Sequence, residues 1–144
     1  MSIGTAKNPV KIVIDTNIII SGIGFGGKPR EILQLILDNG VKAVTSQILQ
    51  AELEDVIAKK FPKLSANFEL INKKLRQKFR VVRPKDTINV LKADPDDNKV
   101  LEAAVSGNCK YIVTGDRELL KLGVFQNIQI VTAEQFLSIG VFKG

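Results

Sequence analysis

The chain contains no histidine and a single cysteine among its 144 residues. Without imidazole, acid–base catalysis by a histidine pair is excluded. Any bound metal must then be held mostly by oxygen, which points to a hard cation such as Mg²⁺ or Mn²⁺. The lone Cys109 has no partner for an internal disulfide, so a reducing cytoplasm is the natural setting and a small buried hydrophobe the natural role. No apolar stretch approaches the ~20 residues of a membrane helix. Met1 to Val10 lack the apolar centre of a secretory signal. Internal repeats, low-complexity tracts and long linkers are also missing. One domain with one core is therefore expected over residues 1–144.

Against these absences one residue stands out. Asp15 interrupts the apolar run Val10-Lys11-Ile12-Val13-Ile14-Asp15-Thr16-Asn17-Ile18-Ile19-Ile20. A carboxylate flanked by hydrocarbon costs several kcal/mol to bury unless it is paired. Charge of the other sign is concentrated elsewhere. Between Lys59 and Lys85 there are ten basic residues and one acid, Glu69, a local charge of +9 that leaves −3 for the remainder. A basic arm beside an acidic remainder fits a surface that follows a phosphate backbone, with a solvated helix face as the plain alternative.

Short apolar runs alternate with helical periods. Strands are expected at Val10–Ile14, Val41–Thr45, Phe79–Val82, Tyr111–Thr114 and Gln129–Val131. Helices are expected at Pro29–Leu37, Gln47–Lys60, Ala66–Lys78, Asp97–Ser106, Arg117–Leu120 and Ala133–Ile139. Thr132 and Gln135 form a capping box for the last helix. Asp96 is a fitting N-cap for the helix at Asp97, and Gly107 or Asn108 ends it. In the expected helix 66–78, Phe68, Ile71, Leu75 and then Phe79 share one face, leaving Lys73, Lys74, Arg76 and Lys78 largely off it. The alternation implies an α/β fold, a three-layer α/β/α sandwich around a mainly parallel, Rossmann-like sheet of about five strands. Ligands of such sheets bind beyond the carboxyl ends of the strands. Asp15 follows the first strand directly and Asp116 follows Tyr111–Thr114 by two residues, so both are expected on the same rim.

Helical phase selects two more acids. At about 100° per residue, with Leu49 at zero, Leu53 lies near +40°, Val56 near −20° and Ile48 near −100°, so Glu52 near −60° falls inside the apolar arc, whereas Glu54 and Asp55 fall on the far side. Asp97 falls amid Val100, Leu101 and Ala104 at the first turn of its helix. Its alternative role is favourable interaction with the helix dipole; that of Glu52 is a buried salt bridge. Packed together, Asp15, Glu52, Asp97 and Asp116 would repel one another and raise each other's pKa values. A divalent ion among them removes that penalty.

These residues resemble the PIN domain family over nearly the whole chain, from Lys11 to about Phe136. The resemblance is carried by Ile14-Asp15-Thr16-Asn17, by Ser46 and Glu52 in Thr45-Ser46-Gln47-Ile48-Leu49-Gln50-Ala51-Glu52-Leu53, by Asp94-Pro95-Asp96-Asp97-Asn98-Lys99-Val100-Leu101, and by Thr114-Gly115-Asp116-Arg117. It implies a metal-dependent endoribonuclease in which Asp15, Glu52, Asp97 and Asp116 hold Mg²⁺ or Mn²⁺, with Asp94 or Asp96 as alternatives to Asp97. It implies cleavage of single-stranded RNA to 5′-phosphate and 3′-hydroxyl ends, a toxin role with an antitoxin protein as partner, and a homodimer. Asn17, Ser46 and Thr114 are expected to orient ligands, water or phosphate, with capping the alternative for Ser46. Lys73, Lys74, Arg76 and Lys78 are the expected nucleic-acid contacts.

Three rivals are kept in view. A binding module on the same fold would bind nucleic acid or protein without cutting. A phosphoacceptor receiver domain needs an acidic pair after its first strand, which this chain does not convincingly present. Gly22-Ile23-Gly24-Phe25-Gly26-Gly27 matches the dinucleotide fingerprint G-x-G-x-x-G, but Asp15 to Ser21 separate it from the strand it should follow. It is expected instead to be a flexible loop on the rim.

Overall fold

The computed structural model describes residues 9–140 except 61, 63 and 64, and no side chains at 65–68. The elements run β1 (Val10–Ile14), α1 (Thr16–Gly24), α2 (Gly27–Leu37), β2 (Val41–Ser46), α3 (Gln47–Lys60), α4 (Ser65–Lys78), β3 (Arg80–Val82), α5 (Asp97–Ser106), β4 (Tyr111–Val113), α6 (Arg117–Leu122), β5 (Val124–Phe125), β6 (Ile128–Val131) and α7 (Ala133–Ile139).

The six strands form one sheet in the order β3-β2-β1-β4-β6-β5. All neighbours are parallel except β5 and β6. Strand alternation divides the core in two. Ile12, Ile14, Ala43, Tyr111 and Val113 face α1, α2, α4 and α7. Val13, Val44, Ile112 and Ile130 face α5 and α6. Helix α3 serves both layers, giving Leu53 to the first and Leu49 to the second. The expected three-layer α/β/α architecture is what the chain adopts, with β5 as a short antiparallel addition at one edge. Among the described residues no helix is long and apolar enough to cross a membrane.

Strand order reverses between β1 and β4, which both lie at the centre with β2 on one side and β6 on the other. Such a switch point leaves a crevice at the carboxyl ends of the two strands. The register Ile14↔Val113 brings the next residues, Asp15 and Thr114, to its mouth.

Helix α1 was not expected from the sequence, and it corrects the glycine-rich reading. The apolar run turns helical immediately after Ile14, where the Asp15 carbonyl accepts from the N–H groups of Ile18 (3.0 Å) and Ile19 (3.3 Å). Gly22 and Gly24 lie within α1. A Cβ added at Gly22 would come within 2.7 Å of Leu33 Cδ1 and 3.0 Å of the Pro29 backbone. This glycine lets α1 and α2 approach closely. Gly26 and Gly27, at φ 86° and 69°, make the turn between them. Arg30 closes the joint by donating from Nε to the Gly22 carbonyl (2.9 Å) and from Nη2 to that of Ile23 (3.1 Å).

The capping box of α7 is formed. Gln135 N–H donates to Thr132 Oγ1 (3.1 Å) and Thr132 N–H to Gln135 Oε1 (2.9 Å). Asp96 does not cap α5. Its backbone is already helical at φ −65° and ψ −26° and its side chain makes no capping bond. The Asp94-Pro95-Asp96 turn leads into the helix instead, with Asp96 N–H donating to Asp94 Oδ1 (3.2 Å) and Asp97 N–H to the Asp94 carbonyl (3.1 Å).

Candidate metal and nucleic-acid site

Asp15 occupies the N-cap position of α1, yet its side chain makes no capping bond of the usual kind. The carboxylate turns toward β4, where Thr114 Oγ1 donates to Asp15 Oδ2 at 2.7 Å. Thr114 is fully buried, and the same hydroxyl accepts from the Asp116 N–H at 3.0 Å. One side chain thus fixes Asp15 and the backbone of Asp116 together. Burial raises the Asp15 pKa. The Thr114 hydroxyl and the Thr16 N–H counter the rise, the Asp116 charge adds to it, and the Asn17 N–H counters it.

Asp97 and Asp116 face each other. Each is half-buried, and Asp97 Oδ2 and Asp116 Oδ2 are both shut away from solvent without a hydrogen-bond partner among the described residues. Two carboxylates offer each other only acceptors, so a proton or a cation must lie between them. Burial, then contact with Asp116, then the charges of Asp116, Asp94 and Asp15 push the Asp97 carboxyl up to about 8. Val100, Leu101 and Ala104, which share its helical face, are all buried, while Asp97 itself is half-buried.

Glu52 departs from expectation. It is exposed rather than turned into the core. Ile48, which would widen the apolar arc of α3, is itself 53% exposed. The buried stripe narrows to Leu49 and Leu53, leaving Glu52 at its edge and on the rim. Its pKa is raised by burial and then by the charges of Asp15, Asp96 and Asp94, so it shares the field of the acidic cluster. Among the described residues no three carboxylates already form a ready-made cation cage.

The surrounding polar residues divide. Ser46 is buried and caps α3, accepting from the Leu49 N–H at 3.3 Å. Asn17 is exposed, and its backbone N–H is what reaches Asp15. Asn98 and Glu102 were not singled out from the sequence. Buried one turn apart on α5, they hold the irregular segment before it. Asn98 accepts from the N–H groups of Val90 (3.1 Å) and Leu91 (2.9 Å) and donates to the carbonyls of Leu91 (2.8 Å) and Pro95 (3.1 Å). Glu102 accepts from the Ile88 N–H at 3.0 Å. Two polar residues four apart on an otherwise apolar helix were the available signal.

On α4, Lys73 and Lys74 are exposed and have no partner among the described residues. Arg76 is engaged by Glu54, and Lys78 donates to Asn39 Oδ1 at 3.1 Å. Ile71, Leu75 and Phe79 pack into the core; Phe68 lies outside the described side chains. Cys109 is buried, its thiol pushed up to about 12 by burial against the lowering effect of Lys11, and inert as expected.

The sequence pattern of the PIN domain matches residues 11–118, from β1 through the Asp116 turn. The chain belongs to the PIN domain family. Among solved structures, the PIN chain is similar to one in the crystal structure of VapBC2 from Rickettsia felis bound to a DNA fragment from their promoter. The TM-score is 0.55 at 16% identity, over 84% of this chain and 97% of that one. No curated protein matches the sequence.

Proposed function

We propose that this PIN domain is a Mg²⁺- or Mn²⁺-dependent endoribonuclease acting on single-stranded RNA. The observation that carries the reading is the facing pair Asp97 and Asp116, whose inner oxygens lack partners beside Asp15 at the switch point of the sheet. The donor set is all oxygen, which suits a hard cation. Asp15, Asp97 and Asp116 would hold it, with Glu52 reaching in from α3. Family membership supports the same chemistry, because PIN domains are generally nucleases.

Bound there, the ion supplies Lewis acidity toward a phosphodiester oxygen and an acidified water. The protein's own residues do the positioning. Thr114 holds the Asp15 carboxylate by its hydroxyl, so that its second oxygen is left for a ligand. The N–H groups of Thr16 and Asn17 favour the ionised form of that carboxylate against the raising effect of burial. Asp97, pushed up to about 8, would hold a proton against Asp116 in the ion-free protein and would be one of the residues holding the ion. Lys73 and Lys74 offer the phosphate backbone an unpaired cationic path.

We further propose a toxin role restrained by an antitoxin protein, a homodimeric state and a cytoplasmic setting, in line with the family resemblance. Asp15→Asn should reduce ion-dependent cleavage of single-stranded RNA to background while circular dichroism stays unchanged. Undiminished cleavage by that variant would remove Asp15 from the site. No ion-dependent cleavage by the unaltered protein, with RNA binding retained, would establish the non-catalytic binding module instead.

A further inference from the structure

A cleft between α1, α3 and α4 opens beside Asp15. Its floor is Leu53 and Leu75, both buried, and the half-buried ring of Phe79 forms a wall. Over this apolar base stand three polar side chains with no hydrogen bond among the described residues: Thr16, Gln50 and Asn72. Thr16 is the telling one. It is only 5% exposed, lines the cleft, and directly follows Asp15. Arg76 and Glu54 pair across the mouth, each side chain about half exposed.

We propose that this cleft receives the unpaired nucleobase next to the cleaved phosphodiester, with Asn72 and Gln50 reading its edge. The inference rests on the nuclease reading and specifies its substrate. An apolar cleft with an aromatic wall suits a splayed-out base, which single-stranded RNA presents and a duplex does not. A carboxamide offers a donor and an acceptor in one plane, and adenine alone of the four bases presents a complementary pair on both its Watson–Crick edge (N6–H with N1) and its Hoogsteen edge (N6–H with N7), so it fits in two orientations. Phosphates flanking the base would lie between the acidic rim and the exposed Lys73 and Lys74.

The enclosed part of the cleft measures about 20 Å³, room for a single water. The base therefore enters by displacing the Arg76 side chain. The Glu54 partner holds it only through an exposed ion pair, which water and salt weaken. Once swung out, the guanidinium is free to meet a phosphate. Arg76 is thus a lid in the free protein and a phosphate contact in the complex.

The test uses a randomised pool of single-stranded RNA, cut in Mn²⁺ and sequenced at the new ends. The unaltered protein should prefer adenine at one position beside the cut. Asn72→Ala and Gln50→Ala should each flatten that preference by about tenfold, with KM rising more than kcat falls. A flat profile for the unaltered protein, or an unchanged profile in both variants, overturns the proposal. Asn72→Asp, isosteric and unable to donate, provides the check if Asn72→Ala does not fold. A binding arm separates this from failure of the nuclease reading. By fluorescence anisotropy, Asp15→Asn protein should bind oligoadenylate more tightly than oligouridylate, and adding Asn72→Ala should erase the difference. Equal affinity for the two oligonucleotides sinks the base cleft whether or not RNA is cut.

Discussion

Asp97 has the environment with the largest measurable consequence. Its folded pKa lies near 8 against an ordinary value of 3.8, so between about pH 4 and 8 the folded, ion-free protein binds more protons than the unfolded chain. Stability of the ion-free protein should therefore fall as pH rises through that window. Asp15 and Glu52, also raised, act in the same direction. Asp97→Asn should flatten the dependence and raise Tm near pH 8, measured by calorimetry in chelator. A pH-independent Tm in the unaltered protein would contradict the account. Added Mn²⁺ should recover the lost stability, because a ligand that binds only the folded state stabilises by mass action. The sequence exposed much of this through helical phase. Asp97 lies where its neighbours Val100 and Leu101 put it. Glu52 was misjudged because Ile48 was counted as core, and no single-sequence pattern reports that an isoleucine in a first turn stays in solvent. Thr114 was placed in the sequence as a polar neighbour. Its double hydrogen bond became visible only with the β1–β4 register.

Elements with strong local signals were readable and those set by tertiary context were not. Helices α3 and α5 begin and end where periodicity places them, and α7 begins at its capping box. Helix α1 escaped because Ile18, Ile19 and Ile20 are β-branched and continue the apolar run of β1. Packing against α2 overrides that preference. Strand β5 has two residues, too few to show a period. The α1–α2 joint makes its own prediction. In an exposed helix, glycine to alanine gains about 1 kcal/mol. At Gly22 the new methyl meets Leu33, which can yield, and the backbone of Pro29 and Arg30 at 3.0 and 3.1 Å, which cannot. Overpacking of this kind costs about 1–3 kcal/mol. Gly22→Ala should therefore destabilise by about 1–2 kcal/mol, read as a lower urea midpoint. A higher midpoint would mean that the helices separate more easily than this packing implies.

At the scale of the whole molecule, α4 carries exposed cations while the acids gather at the carboxyl ends of the central strands. If Lys73 and Lys74 follow the phosphate backbone, reversing both to Glu should weaken RNA binding and lower the slope of log affinity against log salt by about 2. An unaltered slope would return α4 to an ordinary solvated surface. The three-layer architecture was legible because every strand but β5 carried its own apolar run, whereas the strand order that creates the crevice was not, since adjacency in a sheet leaves no local trace. That order has a temporal side as well. The hydrogen bond that holds Asp15 comes from a residue 99 positions later. A nascent chain emerging from the ribosome carries its key aspartate early but lacks the means to orient it until Thr114 has emerged and β4 can pair with β1. Under the proposed ribonuclease function, a partly made chain would therefore lack an oriented Asp15 while its own message is still being read.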